Sequence, residues 1–244
     1  MKVIILAAGS RDTDLSQGAY PVWLAEFAGQ PLLERLIGRL KALPKTEIHV
    51  ALRVNELEKF HLDSVVGLID ATAQIVRVER ETAGATCTAL LAIEVIDSEE
   101  ELVIVNGDEL VDADVVPILE KFRVEGYGAG VLTFQSVHPR YSYVRLNESG
   151  DVVEAAEKRP ISRHATAGFY WFKHGSDFVS AAQNQIKNRD DVDGKYYICP
   201  CLNSLILSGL PVAAFEIHSD EYHPLKTERQ IDEYSHLIER LAGK

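Results

Sequence analysis

The residues best suited to chemistry stand at the start of the chain. Val3-Ile4-Ile5-Leu6 is a β-branched apolar run that empties into Ala7-Ala8-Gly9, with Ser10 and Arg11 following. Backbone amides beside small residues and a glycine can approach an anion without side-chain obstruction. The Arg11 guanidinium adds a planar fork of donors that matches phosphate oxygens. A second signal is Asn106-Gly107-Asp108, which closes the apolar run Leu102–Val105. A carboxylate at such a strand end can hold Mg²⁺, which takes one or two carboxylates together with phosphate oxygens. Glu157-Lys158 is a third: the lysine could neutralise an acceptor phosphate while Glu157 accepts from sugar hydroxyls, or the pair is a solvated edge. The fourth is Arg80-Glu-Thr82-Ala-Gly84-Ala85-Thr86. Its small residues could admit a planar base beside a helix N-terminus that favours anions. It reads equally well as an N-cap ahead of a good helix former.

Other chemistries find no support. Cys87, Cys199 and Cys201 lack metal-ligand spacing, and an odd count of thiols fits a reducing compartment. The eight histidines are scattered, and His218 and His223 around Asp220 and Glu221 match no strong metal motif. There is no Gly-x-Ser-x-Gly, no Walker A loop and no Gly-x-Gly-x-x-Gly after the first strand.

The elements that must position these residues alternate through the first half. Val3–Leu6, Ile48–Leu52, Ile75–Val78 and Leu102–Val105 read as buried strands by length and branching. Between them, Pro31 opens a helix with Leu33, Leu36, Ile37 and Leu40 on one face, Glu56–Ile69 reads as one helix, and Thr82–Ile96 as another. Val115, Ile118, Leu119 and Phe122 form the next helical stripe. Repeated β-α-β implies an α/β fold with a mixed, mostly parallel sheet flanked by helices. Ligands of such sheets bind at the carboxyl ends of the strands. Gly9 and Asp108 both fall just past such ends, so two separate signals converge on one rim.

The second half changes character. Tyr143–Leu146 and Val152–Ala156 flank a polar turn with Gly150 and read as a hairpin, Ala165–Phe172 and Val212–Ile217 as strands. Asp177–Lys187, Cys201–Leu207 and Glu228–Leu241 read as helices. No repeat, low-complexity tract or linker divides the chain, so 1–244 is expected to be one domain. At 244 residues it can bury a sizeable core. Net charge is 25 − 37 = −12, which disfavours nucleic acid as a partner. No apolar stretch approaches the roughly 20 residues of a membrane helix. A cytoplasmic protein with no membrane partner is expected.

Taken in order, these segments resemble the sugar-phosphate nucleotidyltransferases, the NTP-transferase family built on a Rossmann-like sheet similar to that of GT-A-like enzymes. Leu6-Ala-Ala-Gly9 with Arg11 resembles the signature loop, and Phe27-Ala-Gly29-Gln30-Pro31-Leu-Leu-Glu34 the segment opening the first helix. Thr82-Ala-Gly84-Ala85 is similar to the base-reading turn, Val105-Asn106-Gly107-Asp108 to the metal-binding strand end. Ala156-Glu157-Lys158-Arg-Pro160 is similar to the acceptor-phosphate motif, Ala167-Gly168-Phe-Tyr170 to the sugar-side strand. Gly175-Ser-Asp-Phe178 and Tyr196-Tyr197-Ile-Cys-Pro200 resemble a branch met among capsule and surface-polysaccharide biosynthesis proteins.

The resemblance implies attack of a sugar 1-phosphate, or a similar phosphorylated small molecule, on the α-phosphate of an NTP, with release of pyrophosphate. Asp108 would hold Mg²⁺, Arg11 and the amides from Leu6 to Gly9 the triphosphate, and Lys158 the acceptor phosphate. Thr82, Gly84, Asn106, Gly107, Glu157 and Gly168 would line the substrates. Residues 1–135 would form the nucleotide-binding half and 136–244 the acceptor-binding half, with homo-oligomerisation left open.

Four departures accompany the likeness. The glycine loop is about two residues short, Val22 stands where the family has a lysine, Pro224 stands where it often has a second metal aspartate, and Ser142 replaces a glycine. Loss of one phosphate-neutralising lysine is worth on the order of 3 kcal/mol of transition-state stabilisation. Lys226 is a candidate to return one charge, and Asp220 or Glu221 to approach the metal. An alternative is therefore an impaired relative that binds nucleotide, sugar phosphate or a partner. A nucleotide-sugar-dependent glycosyltransferase is the third reading, and its Asp-x-Asp spelling, Asp112-Ala-Asp114, opens a helix instead.

Overall fold

The computed structural model describes residues 1–9 and 20–242. In chain order the elements begin with β1 (Lys2–Ala7), the two-residue strands β2 (Glu26–Phe27) and β3 (Gln30–Pro31), α1 (Leu32–Leu40) and β4 (Glu47–Arg53). Next come α2 (Val54–Phe60), α3 (Leu62–Ile69), β5 (Gln74–Val78), α4 (Ala85–Ala89), α5 (Ile93–Ile96), β6 (Leu102–Asn106), β7 (Glu109–Val111) and α6 (Val115–Val124). The second half adds β8 (Ala129–Gln135), β9 (Tyr143–Leu146), β10 (Val152–Ala156), β11 (His164–Phe172), α7 (Gly175–Lys187), α8 (Ile198–Leu207), β12 (Val212–Glu216), β13 (Tyr222–Pro224) and α9 (Glu228–Ala242).

The central sheet runs β10-β9-β11-β6-β1-β4-β5, with β8 beside β11 and β12 beside β8. This is the mixed, mostly parallel Rossmann-like sheet that the β-α-β pattern implies. β5, β4, β1 and β6 run parallel in register, Ile5 opposite both Val50 and Val105. The second half contributes the antiparallel pairings, β11 against β6, β8 and β9 and β10 against β9, with β12 parallel to β8. Side chains alternate across β1 as the pleat requires. Val3, Ile5 and Ala7 enter one core layer with α1 and α6, while Ile4, Leu6 and Ala8 enter the other with α7 and α8. Among the described residues no helix is long and apolar enough to cross a membrane.

Two expected helices are broken. The segment 56–69 is two helices because His61 adopts a left-handed conformation, φ 51° and ψ 43°. Leu57 and Leu62 are five apart and would lie far round a continuous helix. The break returns Leu62 and Val66 to the core side that Leu57 occupies. The segment 82–96 begins its helix at Ala85, passes through a 3-10 turn at Leu90–Ala92 and resumes at Ile93. β8, β7 and β13 were not anticipated. β8 is buried from Ala129 to Phe134 and carries no alternation to mark it. β7 and β13 are only three residues each and exist by pairing with one another.

Candidate active site

The carboxyl ends of β1, β4 and β6 open onto a cleft of about 290 Å³. Leu6, Ala8 and Gly9 line it from β1, Asn106 and Asp108 from the end of β6. The two ends are tied directly, Gly107 N–H donating to the Leu6 carbonyl at 2.9 Å. Thr82 and Gly84 form a second wall. Gly84 has φ +109°, and a Cβ there would stand 2.4 Å from the Tyr196 carbonyl oxygen. That close approach lets Tyr196 N–H donate to Ala83 O (2.7 Å) and Thr86 N–H to Tyr196 O (3.1 Å). Thr82 is fixed by its hydroxyl, 2.7 Å from that of Thr88.

The far wall comes from the second half. Glu157, Gly168, Ser142, Tyr170 and Tyr197 all face the cleft. The Ser142 hydroxyl donates to Glu157 Oε2. Burial pushes the Glu157 carboxyl above its ordinary range, and Ser142, Lys158 and Lys226 only partly oppose this.

Three sequence-derived candidates sit elsewhere. Ala7 points into the opposite core layer, and Gly107 contributes backbone beneath the floor. Lys158 is not on the lining; its ammonium donates to the Tyr197 hydroxyl at 2.9 Å and lies 5.1 Å from the centre of that ring. Arg11 lies outside the described residues. Asp220 and Glu221 do not reach the cleft. Asp220 pairs with His218 at the surface, and the Glu221 carboxylate caps the His218 N–H. Asp114 caps α6 by accepting from Val116 N–H, as its place at a helix start implies.

Several lining residues were not foreseen. Arg53, at the end of β4, faces the cleft while its Nε donates to the Ala8 carbonyl at 2.8 Å. It follows the predicted strand Ile48–Leu52 directly, so the carboxyl-end rule could have found it. Arg140, Tyr141 and Lys195 lie in irregular connections with no local signal. Val22 is buried in the 3-10 turn Val22–Leu24 and presents an apolar wall; the neighbouring Trp23 indole donates to Glu56 at 2.7 Å. Among the described lining residues, Arg53, Arg140, Lys195 and Lys226 balance Glu81, Asp108, Glu109 and Glu157. A chain of net charge −12 thus holds a cleft whose described lining is balanced in charge.

The donor set decides what metal the cleft could take. Among the described residues no three His, Cys, Asp or Glu side chains converge as a metal cage. Glu109 is committed to an ion pair with Lys226. Asp108 lines the cleft next to the end of β1, and a single carboxylate completed by phosphate oxygens is one mode in which Mg²⁺ is held.

Known proteins share this architecture. The chain is 24% identical over 251 residues to the bifunctional protein GlmU of Pelotomaculum thermopropionicum, across 98% of its own length. It spans about half of that relative, 52% of its length. The nucleoside-diphosphate-sugar pyrophosphorylase of Vibrio cholerae RC9 superposes with a TM-score of 0.82, covering 97% of this chain and 100% of the other at 21% identity. A Bacillus anthracis structure described as a glucose-1-phosphate thymidylyltransferase, in complex with a sucrose, gives 0.79, covering 97% and 94% at 20% identity. At these identities the solved structures carry the fold. The nucleotidyl transferase family model matches residues 2–201, a span running from β1 through the cleft to α8. That span covers most of the chain and every described lining residue of the cleft except Lys226, and the chain belongs to the nucleotidyl transferase family.

Proposed function

We propose that the protein transfers a nucleotidyl group from an NTP to a sugar 1-phosphate or similar phosphorylated small molecule. A phosphate oxygen of the acceptor attacks the α-phosphorus, the bond to the bridging oxygen of the β-phosphate breaks, and pyrophosphate leaves with that electron pair. The observation carrying this reading is the meeting of Gly9, Asp108 and the Thr82–Gly84 turn on one charge-balanced cleft.

The work required of the side chains is alignment of two anions and neutralisation of charge. Amides near Gly9, with Arg53 beside Ala8, face the triphosphate, and Arg11 is assigned to it from the sequence. The backbone-pinned turn at Thr82–Gly84 receives the base. Glu157 and Gly168 border the acceptor, with Lys158 on the rim. Bound Mg²⁺, held by Asp108, would supply further charge neutralisation at the phosphates. In this reading 1–135 and 136–244 are the nucleotide and acceptor halves of one domain, serving nucleotide-sugar supply for surface polysaccharide in the cytoplasm.

The test is pyrophosphate release with Mg²⁺, each NTP and a panel of sugar 1-phosphates. One pair is expected to turn over, and Asp108→Asn to reduce that turnover by about a hundredfold or more. A second reading is favoured by the apolar wall at Val22: the cleft binds nucleotide without transferring it. Calorimetric NTP binding with no pyrophosphate from any pair would establish that reading in place of the first.

A further inference from the structure

Lys226 is placed at the cleft by a chain of contacts that begins in β13. Pro224 pairs opposite Glu109 in the β7–β13 ladder, and Leu225 N–H donates to the Asp108 carbonyl at 2.8 Å. The next residue is therefore delivered to the cleft floor. Gln230 fixes the turn beyond it, its side-chain oxygen accepting from the Lys226 and Thr227 N–H groups at 3.0 and 3.1 Å.

The Lys226 ammonium pairs with Glu109 Oε1, and the two differ sharply in exposure. The Glu109 side chain is 5% exposed, that of Lys226 42%. Glu109 is buried because Gly168, at φ +65°, leaves room for it; a Cβ there would stand 1.9 Å from Glu109 Oε2. Among the described residues that oxygen makes no hydrogen bond of ordinary geometry, though the buried Tyr222 hydroxyl lies beside the carboxylate. A buried carboxylate is kept ionised only where a cation answers it. Burial pulls the Lys226 ammonium down, but Glu109, Asp108 and Glu157 outweigh it and raise it well above its ordinary value. An ammonium has three donors. One is spent on Glu109, and the partly exposed side chain lines the cleft.

We propose that Lys226 is a phosphate-binding residue, a cation anchored from below by Glu109 and presented to the β- and γ-phosphates of the nucleotide. The proposal rests on the reading of the cleft as an NTP site. Glu109 fixes the position of the charge, and Asp108 on the adjoining residue holds its own place beside the phosphates. The cleft then presents to the phosphates the cationic end of a Glu109–Lys226 pair, a donor that comes from the protein and needs no ion to be present.

The experiment is calorimetric titration of the whole protein with inorganic pyrophosphate in EDTA, and separately with NTPs and Mg²⁺. Wild type is expected to bind pyrophosphate without metal. Lys226→Met should weaken it by about tenfold or more, and Lys226→Arg should retain most of it. Because Lys226→Met strands Glu109, the pair Lys226→Met with Glu109→Gln is measured alongside, each checked for folding by circular dichroism. The double variant should show the same loss. If it folds and binds pyrophosphate like wild type, Lys226 serves only to neutralise Glu109 and the proposal falls while the NTP reading stands. If wild type binds neither pyrophosphate nor any NTP under either condition, the NTP reading fails and takes the proposal with it.

Discussion

Val22 concentrates the question of activity into one side chain. It is 3% exposed and packs in the core layer shared with Trp23 and Phe27, yet it also forms part of the cleft wall. A lysine there would have to run its stem along that wall to reach the phosphates, as long cationic side chains do. Replacing Val22 by Lys should cost about 1–3 kcal/mol of stability through lost core packing. It should also raise pyrophosphate release about tenfold if a missing charge limits turnover. Denaturant unfolding and the pyrophosphate assay read the two effects separately. An unchanged rate would mean that Arg53 and Lys226 already provide the charge. What the sequence made legible at this scale is local: Gly9, Asp108 and Thr82 each stand close to the end of a predicted strand, so their convergence follows from sheet geometry. Arg53 obeys the same rule, directly after the strand Ile48–Leu52. The Glu109–Lys226 pair was not readable, because it depends on two strands too short to have any periodicity.

At the scale of elements, the cleft floor depends on that same short ladder. β13 is held to β7 and α1 by Asp112, which pairs with Arg39 of α1 and with His223 of β13 at 2.9 Å. Arg39 also donates to the Val111 carbonyl. Burial pushes the Asp112 carboxyl up, but His223 and Arg39 outweigh it, so it ends below its ordinary value. A carboxylate depressed on folding adds stability above its unfolded pKa and loses it as pH falls through the folded one. Asp112→Asn should therefore cost about 1–3 kcal/mol near neutral pH. The deficit should narrow as pH falls below about 3.9, the ordinary aspartate value. Urea unfolding of both proteins across that range checks the sign; a deficit that widens in acid would remove Asp112 from the clamp. The larger elements were legible because their apolar periodicity is local. β8 escaped because it is buried on both faces, and its Gly130 packs against the Phe122 ring, where a Cβ would fall 2.3 Å away.

For the whole molecule the conflict is between a net charge of −12 and a proposed ligand that is itself an anion. The described lining of the cleft carries as many cations as carboxylates, so the repulsion comes from the surface beyond it. These two fields act over different ranges. At 0.01 M salt the Debye length is about 30 Å and the distant carboxylates act on an approaching nucleotide. At 0.15 M it shrinks to about 8 Å, which leaves the charges at the cleft while removing most of the rest. The association rate of an NTP should therefore rise by about two- to threefold between these salt concentrations, the reverse of electrostatic steering by a basic surface. Stopped-flow mixing with a fluorescent NTP measures it directly. A rate that falls with salt would mean that Arg53, Arg140, Lys195 and Lys226 project a field beyond the cleft strong enough to override the net charge. A rate that rises would place their contribution where the ligand is already bound, in slowing its departure.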